Sequence, residues 1–379
     1  LPSVLITELL QYCQQSFCMT GDENLSPDES AEQLLMHLIQ QHALQPFDAR
    51  YFDPEVPCSF AKEWLPALAP AEELRKFLTE PLPALISNDD TQEIELAELL
   101  RFYRHPTKYF FNRRLKVYFN QASLDVLDDE PFAVDNLEKY HLKAQLLETQ
   151  LLGGDINQVT ERLVASGSLP LGRFGQISLD KEVSTVNQLA QVLMPLLTNS
   201  NDDIEVDIPL VSGRLVGWLK QRYNGGLVRH KPSGFNGKDY LQVWLEHLCF
   251  CISVKQPVAT TLVHLTAGNP VVQRLKVIEQ SRARELLFQL LEVFNDGCCQ
   301  PLALFPKTGW SWAKTKCTTA EPDDYKLRSE AVLNFEGGYN RMGENADDYL
   351  QRSFPRLNDE VYKLMSASSQ SVLFPIFEY

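Results

Sequence analysis

The stretch from Ile204 to Cys251 constrains the fold more than any other part of this 379-residue chain. Two apolar runs, 204–219 and 227–230, flank the turn Tyr223-Asn224-Gly225-Gly226. An Asn-Gly pair tolerates the two positive φ angles of a tight hairpin turn, so the pattern predicts a β-hairpin. A Gly-rich loop follows from Ser233 to Gly237. Tyr240 to Cys251 then predicts a helix, with Leu241, Trp244, Leu245 and Leu248 on one face. Val258 to Leu265 (V-A-T-T-L-V-H-L) predicts a further strand. The order strand, strand, helix, strand places 204–220, 227–230 and 258–265 in one mixed central sheet flanked by helices. The fold class is α/β.

The segments around this core are mostly helical. Pro2-Ser3 opens a helix over residues 1–20 with Val4, Leu5, Leu9, Leu10 and Tyr12 on its apolar face. Ser26-Pro27-Asp28-Glu29 is a helix start, with the serine as cap and the proline in the first turn. Residues 44–66 (Pro46, Phe47, Tyr51, Phe52, Phe60) read as an ordered connector, since a flexible linker would be polar and rich in Gly and Ser. A helix around 71–79 leads to a boundary within 81–91. This divides the chain into a smaller helical region, 1–90, and a larger domain, 91–379. In the larger domain, Leu96, Leu99, Leu100 and Tyr103 are helically spaced, and Pro106 fits the start of a second helix. Residues 132–165 are helical with a break at Gly153-Gly154. Leu169 to Leu179 is Gly-rich and β-like, Val183 to Leu197 is an amphipathic helix, and Gln273 to Asn295 is a long helix.

Charge limits the function classes. The net charge is −15, whereas a protein that only coats DNA is usually basic. The acidic balance restricts nucleic-acid contact to local patches and suits protein partners. The most basic window holds Arg101, Arg104, Lys108, Arg113, Arg114 and Lys116. It either meets phosphate or forms a solvated face paired with Glu95 and Glu98. Trp310 and Trp312, among Lys307 and Lys314, either stack on bases or anchor a core. No apolar run approaches the ~20 residues of a membrane span, and there is no signal peptide. The start at Leu1 fits a piece of a longer chain. The eight cysteines lack zinc spacing and suit a reducing cytoplasm. Gly234-Phe235-Asn236-Gly237-Lys238 has the wrong glycine spacing for a phosphate loop, and no nucleophile-elbow motif is present.

The hairpin and helix resemble the core of the RecB-type nucleases of the PD-(D/E)XK superfamily. Those carry a strand G-x-I-D-R, a strand V-D-Y-K, and a helix with Q-x-x-x-Y. Gly213-Arg214-Leu215-Val216-Gly217 resembles the first, Leu227-Val228-Arg229-His230-Lys231 the second, and Gln242 to Glu246 the third. Gly213, Lys231 and Gln242 match. Both carboxylate positions differ, being Val216 and Arg229, and the tyrosine position is Glu246. The resemblance implies a nuclease-like fold without its Mg²⁺ chemistry. A +1 and a +2 charge ~4 Å apart repel by roughly 8 kcal/mol at an effective dielectric of 20. His141 loosely fits the place of a metal-binding histidine in that superfamily. The alternative is an active Mg²⁺-dependent nuclease whose ligands are shifted to Asp203, Glu205 or Asp207.

Across its whole length the chain resembles the RecC family, the gamma subunits of the bacterial exodeoxyribonuclease V (RecBCD) complex. The matching motifs are P-S-V-L-I-T-E-L-L, P-F-D-A-R-Y-F, H-P-T-K-Y-F-F and P-L-A-L-F-P-K-T-G-W-S-W. The resemblance implies a C-terminal, non-catalytic scaffold domain following a helicase-like part. Its implied partners are the RecB and RecD subunits, a double-stranded DNA end and its separated single strands. It implies no cofactor, no bound metal, a cytoplasmic location and a role in recombinational repair.

Overall fold

The computed structural model describes residues 3–22, 24–40, 42–45, 48–52, 77–84, 93–119, 134–167, 169–170, 172–211 and 213–379. The chain divides into two compact units, Leu1–Arg75 and Lys76–Tyr379. In the first unit, Ser3 caps α1 (Val4–Ser16) by accepting from the Ile6 N–H. Ser26 and Glu29 form a reciprocal capping box at the start of α2 (Pro27–Leu38), with Pro27 in its first turn. Each satisfies an N–H that the helix itself leaves unpaired. Within the expected connector, Pro46, Phe47, Ser59 and Phe60 lie outside the described residues, as do most of the expected helix at 71–79 and of the boundary at 90/91.

The second unit opens with β1 (Glu93–Glu95), α3 (Leu96–Arg104) and α4 (Pro106–Tyr109), which passes into a π-helical turn over Phe110–Leu115. The next helices are α5 (Asn136–Leu151), α6 (Ile156–Ala165) and α7 (Arg173–Leu193). The strands β2 (Ser200–Asn201), β3 (Ile204–Pro209), β4 (Arg214–Leu219), β5 (Arg222–Tyr223) and β6 (Gly226–His230) lead into α8 (Gly237–Ser253). A hairpin of β7 (Thr260–Thr266) and β8 (Asn269–Leu275) precedes α9 (Gln280–Cys299). The last elements are α10 (Thr308–Thr318), α11 (Asp324–Glu336), the short β9 (Gly337–Gly338) and β10 (Arg341–Met342), α12 (Asp348–Ser353) and α13 (Asp359–Glu378).

The α/β class stands, but the single central sheet does not. Strands β3 and β4 lie in a three-stranded sheet of order β1-β4-β3, whereas β6 and β7 lie in a five-stranded sheet of order β2-β5-β6-β7-β8. The run 204–219 itself contains the antiparallel pair β3 and β4, with Gly213 at φ 96° just before β4. β4 pairs with β1 on one side and β3 on the other, so neither of its own edges is left for β6. The Asn224-Gly225 turn (φ 52° and 83°) instead joins β6 to the two-residue β5. β6 and β7 are parallel, and β7 and β8 antiparallel, so the larger sheet is mixed.

Two other expectations change. Leu169 to Leu179 is not a strand, because α7 begins at Arg173. Its glycines serve the helix entry: Gly172 takes φ 69°, and a Cβ on Gly175 would lie 2.0 Å from the Pro170 carbonyl oxygen. The helix expected from Gln273 starts at Gln280, because Asn269–Leu275 completes the hairpin with β7. Its turn uses Ala267 at φ 51°, an unusual residue for that conformation and hence a weak sequence signal.

The core centres on α8. Its capping box pairs Asn236 with Asp239. The expected face of Leu241, Trp244, Leu245 and Leu248 is buried, and so are Val243, Cys249, Phe250, Cys251 and Ile252. The helix is therefore enclosed rather than amphipathic, packing on β3, α3 and α9. Each large side chain buried this way contributes about 1.5–3 kcal/mol. Gly237 permits the close approach of α10, since a Cβ there would lie 1.9 Å from the Pro306 carbonyl oxygen. Tyr103 on α3 donates to the Leu290 carbonyl on α9 at 2.6 Å and ties two of the covering helices together.

His247 on α8 is fully buried between Thr260 Oγ1 (2.8 Å) and the Lys276 carbonyl (2.9 Å). The carbonyl requires Nε2–H as donor, so Nδ1 accepts from the Thr260 hydroxyl. Burial pushes its pKa down from 6.5 to about 4. Between these values the unfolded chain binds the proton more readily, so stability falls as pH drops from 6.5 towards 4. The expected loss is about 3 kcal/mol. Urea-unfolding free energies across that range should show the slope in the native sequence and a flatter one in His247→Asn. Equal slopes would contradict the assignment.

Candidate functional site

The positions matching the nuclease motifs are held by β4, β6 and α8. Arg229 on β6 and Glu246 on α8 form a buried ion pair, their side chains 12% and 9% exposed. The Arg229 Nη1 also donates to the carbonyls of Val228 (3.1 Å) and Gln221 (3.3 Å). Gln242 lies one turn before Glu246 and donates to its other carboxylate oxygen at 3.1 Å. Three of the motif positions thus form one charge-assisted network, in which Arg229 Nε and Nη1 and both Glu246 carboxylate oxygens have protein partners.

Lys231 points elsewhere. Its Nζ lies 2.8 Å from Asp239 Oδ2, in the capping box of α8, and 5.7 Å over the Tyr140 ring. Val216 on β4 is half-buried and lines a cleft of about 460 Å³ with Glu95, Leu96, Glu205, Trp218 and Glu246 among its walls. Of the shifted carboxylates, Asp207 accepts from Arg214 Nε at 2.7 Å and from its Nη2. Asp203 and Glu205 are exposed, and only Glu205 reaches the cleft. His141 is exposed on α5 with its ring edge-on to Tyr140. Among the described residues, no group of three or more His, Cys, Asp or Glu side chains is placed to hold a metal ion.

The basic window is largely engaged within the fold. Arg101 and Arg113 both pair with Glu98, and Arg114 donates to the Pro83 carbonyl. Lys108 lies 5.4 Å over the Tyr349 ring. Arg101, Arg104 and Arg113 are exposed. The tryptophans pack as anchors. Trp310 stacks on Tyr240 (4.2 Å between ring centres) and Phe377 (4.8 Å). Trp312 is buried, stacks on Phe374, and donates from Nε1 to the Tyr362 hydroxyl at 3.1 Å. Neither ring is a free platform for a base.

Sequence reasoning identified Arg229 and Glu246 separately and missed their pairing. The available signal was complementarity: a cation at one motif position and an anion at another, on elements expected to pack together. The same reasoning missed the link between His105 Nε2 and Asp347 Oδ1 (3.2 Å), which bridges residues far apart in the chain. Removing one partner of a buried pair strands a charge, while replacing both with apolar residues does not. Glu246→Ala should therefore destabilise the protein by about 3–5 kcal/mol, and Arg229→Met with Glu246→Leu should recover most of that loss. Equal destabilisation in thermal and urea unfolding of the two variants would show that the pair is not coupled.

Comparison with known proteins places the chain in a family. The family model described as the RecC C-terminal domain matches residues 91–317. The "RecBCD enzyme subunit RecC" of Escherichia coli strain K12 is 31% identical over 386 aligned residues, covering 100% of this chain and 34% of that relative. The protein of the same description from Buchnera aphidicola subsp. Acyrthosiphon pisum is 24% identical, with 100% and 35% coverage. That from Mycolicibacterium smegmatis is 26% identical, with 78% and 28% coverage. The chain spans about a third of the length of these curated relatives. Since the family model matches more than half of the residues, this chain belongs to the RecC C-terminal domain family.

Proposed function

We propose that this chain is a non-catalytic scaffold and DNA-guiding domain of a RecBCD-type exodeoxyribonuclease V complex. In this reading it works in the cytoplasm beside the RecB and RecD subunits, docks RecD, and helps part the strands of a double-stranded DNA end. Its relatives are described as subunits of the RecBCD enzyme, which supports the assignment to such a complex. No helix among the described residues is long and apolar enough to cross a membrane.

The observation that carries the non-catalytic part is the Arg229–Glu246–Gln242 network. We read the core as a PD-(D/E)XK nuclease-like fold within a domain of residues 91–379, with the helical region 1–90 belonging to the part before it. Mg²⁺ needs several oxygen ligands in near-octahedral geometry. The residues present do not fit it. Val216 offers no oxygen, Arg229 brings a cation, and the Glu246 carboxylate is already neutralised by that cation. Lys231 is tied to Asp239 and is no substitute for a ligand. The shifted-ligand alternative meets a comparable obstacle, since Asp207 is held by Arg214.

DNA contact in this reading falls to the exposed arginines of the basic window, Arg101, Arg104 and Arg113, with Lys108 and Arg114 in supporting places. These side chains can exchange Glu98 and solvent for phosphate, releasing counterions as they do so. The test incubates the full-length protein with Mg²⁺ or Mn²⁺ and labelled duplex or single-stranded DNA, following cleavage and binding together. The expected result is no cleavage, with salt-sensitive binding that weakens several-fold in Arg104→Glu/Arg113→Glu. Chelator-sensitive cleavage abolished by Asp207→Ala would establish the shifted-ligand nuclease instead, and binding indifferent to the arginine reversals would remove the DNA role of this window.

A further inference from the structure

β8 is an outer strand of the five-stranded sheet, and among the described strands it pairs with β7 alone. The register of that pair fixes which backbone groups are left over. On β7, the Val263 carbonyl accepts from the Lys231 N–H at 3.0 Å, and the Leu265 N–H donates to the Ser233 carbonyl at 3.1 Å. Val263 and Leu265 therefore turn their backbone groups away from β8. The alternate residues Leu262 and His264 turn theirs towards it, opposite Gln273 and Val271. The backbone groups of Pro270, Val272 and Arg274 consequently point out of the sheet. Lys276, next in that series, donates its N–H to a Tyr379 main-chain oxygen at 3.1 Å. Proline has no N–H to offer. The open window is thus the N–H and C=O of Val272 and Arg274 with the Pro270 carbonyl, bounded by the proline ring at one end and Tyr379 at the other.

The side chains leave this window accessible. Val272, Gln273 and Arg274 are all exposed, Val272 by 43%. Successive residues of a strand face opposite ways, so both faces are open here as well as the edge. At the far side of the same sheet, β2 is only two residues long, and that brevity blunts its edge.

Charge selects the occupant. Neither β7 nor β8 contains an acidic residue. Arg274 and Lys276 are exposed and form no salt bridge among the described residues. On α7, which packs on β8, Asp180 accepts from Gln176 and the buried Glu182 faces Lys143. Beyond the strand, Glu279 is the N-cap of α9 and Glu285 pairs with Arg282. Two such edges brought together would oppose cation to cation, which disfavours a second β8 as the occupant. An extended segment bearing carboxylates would meet opposite charge.

We propose that β8 docks an extended acidic segment of a partner polypeptide as an added strand. The segment's backbone bonds Val272 and Arg274, and its carboxylates lie beside Arg274 and Lys276. The proposal goes beyond the reading of this domain as a complex subunit and does not rest on it.

The test uses the purified full-length protein and a fluorescein-labelled peptide of alternating glutamate and valine. A fully N-methylated copy of the peptide keeps the charges and offers no N–H. Fluorescence anisotropy is read for the native sequence, Val272→Pro, Arg274→Glu/Lys276→Glu, and a control pair, Arg162→Glu/Lys326→Glu, at exposed positions of α6 and α11. Circular dichroism melting establishes that each variant is folded, and sedimentation velocity follows self-association. The expected result is a tenfold or greater loss of affinity in both edge variants and for the N-methylated peptide. The control pair should bind as the native protein does, and an unlabelled single-stranded 20-mer should not displace the peptide. Absence of peptide binding, equal binding of the N-methylated copy, equal losses in control and edge variants, or displacement by DNA would each overturn the proposal. So would self-association abolished by Val272→Pro, which would give the edge to a second copy of this chain. The assay reads the edge by itself, so its failure would leave the complex-subunit reading standing.

Discussion

The enclosure of α8 is the constraint on which the rest of this domain depends. An apolar helix buried on nearly every side must be covered by something in each direction, and β3, α3 and α9 supply that cover. The strands on either side of it fall into two sheets. The strand pair β3–β4 packs against α8 and recruits β1, while β6 continues into the sheet of β7 and β8. The polar groups on α8 are then forced into specific partnerships. His247 needs Thr260 and the Lys276 carbonyl, and Glu246 needs Arg229.

That second partnership connects the fold to the proposed function. A carboxylate on a buried helix and a guanidinium on a neighbouring strand neutralise one another, and Gln242 completes the hydrogen bonding. A nuclease would keep its carboxylates free for a metal. Here the guanidinium and the carboxylate at the positions matched to those motifs satisfy one another.

Much of this was legible in the sequence, for physical reasons that can be named. Asn224-Gly225 marked a turn because both residues tolerate positive φ, and Ser26-Pro27 marked a helix start because capping is local chemistry. The spacing of Leu241, Trp244, Leu245 and Leu248 marked α8. Sheet membership was not legible. It depends on which strand edges are already taken, and β4 is saturated by β1, more than a hundred residues earlier in the chain. The start of α7 was obscured because Gly172 and Gly175 serve helix entry and close packing, roles that look like loop or strand punctuation in one dimension. At the site, motif alignment found the substituted positions but not the bond between them, since pairing is a property of packing. The basic window and the two tryptophans were similarly ambiguous until Glu98, Tyr240 and Phe374 were seen to engage them.

The central claim is that the charge exchange at Val216 and Arg229 removes the metal site. Electron paramagnetic resonance of Mn²⁺ tests it most directly, comparing the native full-length protein with Val216→Asp/Arg229→Asp, a variant that restores a carboxylate at each substituted position and also frees Glu246. The account predicts no bound Mn²⁺ signal at these positions in the native protein and a gained site in the variant. A native Mn²⁺ site lost on substituting Glu205 or Glu246 by glutamine would contradict it.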